Sequence, residues 1–101
     1  PGAVIWAEMP NDEDHGATSK VRPVVVVADQ GGVVLVRWFT SQDKSQRHGY
    51  VEFTQAMQKQ IGLDGVGHST WLSGETRSLP RSAFRDPVGQ VPPELMRRRP
   101  A

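Results

Sequence analysis

The chain has 101 residues with 12 Lys or Arg, 11 Asp or Glu and no cysteine. That length fits one domain, and the lack of cysteine excludes a disulfide framework and a cysteine-ligated zinc site. The longest apolar run, Val24 to Ala28, is too short to span a bilayer, no basic-then-apolar leader precedes it, and a cytoplasmic location is the default expectation.

The net charge of +1 is unevenly spread. Residues 1–21 hold four acidic side chains (Glu8, Asp12, Glu13, Asp14) against Lys20, a net of −3, and residues 22–101 hold eleven basic against seven acidic, a net of +4. A basic body beside an acidic loop can attract a polyanion, although +4 over eighty residues is also an ordinary solvated surface.

In chain order, Ala3 to Met9 alternates like a strand, with Val4, Trp6 and Glu8 on one face. Pro10 to Lys20 is a long polar loop rich in Asx-type residues. Two valine-rich strands follow, Pro23 to Asp29 and Val33 to Phe39, joined at Gly31-Gly32 as a hairpin. His48 to Phe53 reads as another strand. Thr54 then caps a helix that carries Met57 and Ile61 on one face and stops at Gly62. Two more short strands are expected in "HSTWLS" and "TRSLPRSAF", and "PPELMRRR" is a closing helical turn, its arginines at the negative end of the dipole. Short strands around one helix predict a mainly β (α+β) domain built on a small, strongly curved antiparallel barrel. In so small a core, two of the three tryptophans (Trp6, Trp38, Trp71) are expected inside, with base stacking as their alternative use. Leu35, Trp38 and Val66 are apolar surface that a thin barrel cannot cover alone, which predicts a homodimer.

The hairpin sets the chemistry. If Asp29 faces Val33, Arg22 faces Thr40; if Gln30 faces Val33, Arg22 faces Ser41. Either register brings a guanidinium to the Thr40-Ser41-Gln42 end, a set of donors suited to phosphate oxygens. A strand-end arginine paired with the acidic loop explains the same residues without a ligand.

"PGAVIWAEMP…VRPVVVVA" resembles the opening of the PemK/MazF family of bacterial toxins, with a Gly-x-x-x-Trp strand, a loop and Arg-Pro leading an aliphatic strand. "FTSQ" resembles its second motif, and "GLDGVGHSTWLSGETRSLPRSAFRDPVGQVPPELM" its C-terminal half, so the similarity covers nearly the whole chain. The resemblance implies an SH3-like barrel with one mid-chain helix and a short C-terminal helix. It also implies metal-independent, cofactor-free cleavage of single-stranded RNA, usually by a homodimer, held in check by a cognate antitoxin with an acidic, partly disordered segment. The family's catalytic roles fall on Arg22, for phosphate stabilisation and acid–base chemistry, and Thr40, beside the scissile phosphate. His15 lies near a loop histidine that contributes to cleavage in some members. Ser41, Gln42, Lys20, Lys44, Arg47, His48 and Arg77 complete the expected RNA-binding set. The chain departs from the pattern in three places: "DEDHGATSK" replaces a Glu-Gln pair, Trp38-Phe39 replaces the proline before the threonine motif, and Leu72 and Gly74 stand where some members carry a late-strand Arg and Asp. A non-catalytic barrel that binds nucleic acid or protein is the alternative reading.

Overall fold

The computed structural model describes residues 2–10, 19–63 and 67–96. His15, Val66 and Arg97 to Arg99 lie outside the described residues. Seven antiparallel strands form one sheet: β1 (Ala3–Pro10), β2 (Ser19–Asp29), β3 (Val33–Thr40), β4 (Val51–Phe53), β5 (Thr70–Leu72), β6 (Arg77–Pro80) and β7 (Phe84–Gln90). Their order is β4-β5-β3-β2-β1-β7, with β6 paired to β3 outside that path. Helix α1 (Gln55–Gln60) follows β4 and helix α2 (Pro93–Met96) ends the described chain.

The β2–β3 hairpin realises both registers that the sequence leaves open. Val24 to Val26 pair with Trp38 to Val36 in the register that aligns Arg22 with Thr40, and Ala28 and Asp29 pair with Leu35 and Val34, one residue out of step. Val27 is the extra residue, and a bulge of this kind bends its strand and increases the local twist. Arg81 reaches across to the Asp29 carboxylate, and with the Gly31 N–H (3.0 Å) it holds that carboxyl below the usual range. Strand β2 runs four residues further back than expected, to Ser19, along β1. Pro23 therefore lies inside the strand, opposite Trp6 and next to Val24, where the pairing with β3 ends and no amide is needed on that side.

Beyond Trp38, strand β3 changes partner. Phe39 and Thr40 pair with Leu72 and Trp71 of β5, so the sheet splits and encloses two apolar clusters. One gathers Val4, Val25, Phe39, Phe53, Ile61 and Leu72; the other gathers Ala7, Met9, Val24, Val34, Val36 and Leu79. Phenylalanines fill the first, Phe39 meeting Phe53 edge to face at 5.1 Å. This corrects the expectation for tryptophan: Trp6 is 38% exposed, and Trp38 and Trp71 are only half buried. Among the described residues the exposed large apolar side chains are Trp6, Val21 and Val33, whereas Leu35 and Trp38 are half covered.

Thr54 caps α1 as expected, its Oγ1 accepting from Met57 N at 3.3 Å. Gln58 is the helix's most buried residue and donates from Nε2 to the carbonyls of Phe53 (3.0 Å) and His68 (2.9 Å), tying the helix to both flanks. Gly62 has φ +90° and lies against the Val88 carbonyl. The end of the β4 side thus meets β7 at the other end of the strand order, which curves the sheet towards a barrel. Strand β7, which carries Pro87, is not among the elements expected from the sequence. It is an edge strand with register shifts beside β1, where proline is tolerated. The expected strands in "HGYVEF" and "TRSLPRSAF" shrink to Val51–Phe53 and Arg77–Pro80, the latter ended by a 3-10 turn at Arg81–Ala83. Among the described residues no helix is long and apolar enough to cross a membrane.

Candidate nucleic-acid interface

Direct cross-strand pairs share a sheet face. Ala7 pairs with Arg22, Met9 with Lys20 and Val24 with Trp38, so Lys20, Arg22 and Trp38 stand on one side with the second apolar cluster. Past Val24 the valines end, and this face turns into a polar trough. Its centre is a cavity of about 180 Å³ lined by Met9, Pro10, Arg22, Trp38, Tyr50, Glu75 and Arg77. Arg22 is half buried there, and among the described residues no hydrogen bond or ion pair engages its guanidinium. Arg77 lies over the Trp38 ring, 5.7 Å from its centroid, a cation–π geometry that fixes both side chains.

Among the described residues, two further cavities adjoin this one. Trp38, Tyr50 and Glu75 also wall a space of about 380 Å³ with Arg47, His48, Gly49, Ser73 and Gly74. Met9, Pro10 and Arg77 lead the other way into a space of about 450 Å³, with Glu8, Ser19 and Ser78 on its walls. At that end Glu8 accepts from Ser19 Oγ (2.8 Å) and from Arg85 (2.7 Å), and both hold its carboxyl below the usual range. In the central and Arg47-side cavities Glu75 is the one carboxylate among the described residues, facing Arg22, Arg47 and Arg77.

The expected site residues are thus partly assembled. Arg22 and Arg77 share the central cavity, Arg47 and His48 line its neighbour, and Lys20 is exposed two positions from Arg22 on the same face. Thr40 does not line the central cavity. It is 3% exposed, pairs with β5, and its Oγ1 accepts from Gln42 N at 3.2 Å, so its hydroxyl shapes the turn carrying the exposed Ser41 and Gln42. Lys44 is buried, with Nζ donating to Gln42 Oε1 (3.3 Å) and lying 5.5 Å from the Tyr50 ring centroid. From there it braces the loop whose Arg47 N–H bonds the Lys44 carbonyl at 2.8 Å. His15 lies outside the described residues.

Sequence reasoning misses Tyr50 and Glu75. Tyr50 is read there as a strand residue, and Glu75 sits one place past the position searched. Gly74 explains that shift: a Cβ there would overlap the Gly49 carbonyl oxygen, so no side chain fits while the two loops touch. Leu72 is wholly buried in the core. Among the described residues no three His, Asp or Glu side chains are grouped to hold a metal ion.

The curved antiparallel β domain thus carries a groove lined by arginines and aromatic rings. The match to known families is more specific. Residues 1–98 fit the family described as PemK-like, MazF-like toxin of type II toxin-antitoxin system. The chain belongs to that family, and membership implies an antitoxin partner. A search of curated proteins returns no match.

Proposed function

We propose that the protein is a metal-independent endoribonuclease whose growth-inhibiting activity falls on single-stranded RNA in the cytoplasm. The observation that carries this reading is the central cavity, where Arg22, Arg77 and Glu75 meet beside an aromatic wall in a chain of the toxin family. Two guanidinium groups can hold the non-bridging oxygens of one phosphate and stabilise the charge that grows on them during attack. Glu75 can take the proton from the ribose 2′-hydroxyl as its oxygen bonds to phosphorus. The bond to the 5′ oxygen then breaks, and that oxygen takes up a proton; His48, on the adjoining wall, is a residue type able to supply it. The products are a 2′,3′-cyclic phosphate and a 5′-hydroxyl. Lys20, Ser41 and Gln42 are exposed near the ends of β2 and β3 and extend the contact with RNA.

One observation favours a non-catalytic binding module: the family's threonine, Thr40, is buried at the end of β3 and does not line the Arg22 cavity. The two readings separate on incubation of pure protein with a long single-stranded RNA in EDTA, followed by mapping of the product ends. Cleavage to cyclic-phosphate ends is expected, and Arg22→Ala should lower it about a hundred- to thousandfold. RNA binding without cleavage by the wild type would leave the binding module. The antitoxin is expected to place an acidic segment in the same groove, where it competes with RNA.

A further inference from the structure

The cavity between the loop carrying Arg47 and the start of β6 has two aromatic walls, Trp38 and Tyr50. A cation backs each ring: Arg77 lies 5.7 Å from the Trp38 centroid and Lys44 5.5 Å from that of Tyr50. These contacts hold both rings in place before any ligand arrives, which lowers the ordering cost of binding. Lys44 is itself buried, so the Tyr50 contact belongs to the packed structure and not to a mobile surface pair. The backbone of Gly74 lies against the Gly49 carbonyl and joins the two loops on the cavity's lining. At about 380 Å³ the space falls within the range of small-ligand pockets.

We infer that this cavity is a nucleobase slot, in which the base next to the phosphate held by Arg22 and Arg77 stacks against Trp38 and Tyr50. The inference rests on the reading of the groove as an RNA site and adds where that RNA is gripped by a base. Continuity argues for a nucleotide over another flat ligand, because Trp38, Tyr50 and Glu75 wall both the slot and the phosphate cavity. A chain with its phosphate on the arginines therefore has its neighbouring base at the slot mouth. Stacking uses the π-face common to all bases, and it is strongest for the larger purine rings.

The test measures binding, so that it does not depend on cleavage. Fluorescence anisotropy with 2′-O-methyl oligonucleotides, which lack the attacking hydroxyl, should show that one abasic position weakens binding about five- to hundredfold. Trp38→Leu should weaken binding of the intact oligonucleotide by a similar factor, and the abasic change should then cost Trp38→Leu almost nothing more. Tyr50→Leu should behave alike, whereas Tyr50→Phe, which keeps the ring, should bind normally. Near-ultraviolet circular dichroism checks folding, and the abasic series on the wild type stands even if a variant fails to fold. Equal affinity at every abasic position, or additive losses in the double change, would overturn the slot while leaving the RNA reading intact. No binding of any oligonucleotide would overturn both.

Discussion

Glu75 and Thr40 stand in different surroundings. Thr40 ends β3 and its Oγ1 accepts from Gln42 N, whereas Glu75 lines two of the groove's three cavities. Glu75→Gln keeps the shape and loses the proton acceptor, so the cleavage rate should fall about a hundred- to ten-thousandfold while RNA affinity stays near that of the wild type. Single-turnover kinetics beside an anisotropy titration would check this, and an unchanged rate would remove Glu75 from the chemistry. Arg22 was legible as a polar residue at the rim of the hairpin because Arg-Pro stands before an unbroken aliphatic run, and the structure puts it on the lining of the central cavity. Lys44 was not legible as a buried brace, since nothing in "SQDKSQRHG" shows that its stem would be covered and its ammonium held near Tyr50.

Among the elements, α1 shows how a local signal and a distant contact combine. Thr54 and Gly62 bound the helix by rules that act within a few residues. Gly62 has a second role, because a Cβ there would lie 2.5 Å from the Val88 carbonyl oxygen of β7 in addition to meeting the strain of φ +90°. Gly62→Ala should therefore cost more than the roughly 1–2 kcal/mol of a left-handed residue alone. For a domain of this size that corresponds to a fall in melting temperature of at least about 4–8 °C, to be read by thermal denaturation. A neutral result would mean that the α1–β7 contact yields easily. Strand β7 itself was hidden, since Pro87 is acceptable only at an edge and edge status is a property of the whole sheet.

For the whole molecule, the open question of assembly turns on Trp6 and Val21. Trp6 pairs with Pro23 and Val21 with Glu8, which makes the two exposed apolar side chains diagonal neighbours on the sheet face opposite Arg22. Covering them in a homodimer would leave the groove open, and sedimentation at micromolar concentration should give twice the chain mass, with Trp6→Ser shifting it towards the monomer. A monomer mass for the wild type would show that the patch stays solvated. The sequence by itself determined the antiparallel hairpin, the capped helix, the mainly β class and the family, because alternation, turn residues and caps act over a few positions. Only the tertiary structure decided that β3 stops pairing with β2 after Trp38 and pairs with β5 through Phe39 and Thr40. Thr40 is buried there, and Arg22 shares a cavity with Tyr50, Glu75 and Arg77. Partner choice between strands is settled by how all the faces pack at once, and residues 28 to 55 positions beyond Arg22 reach it only through that packing.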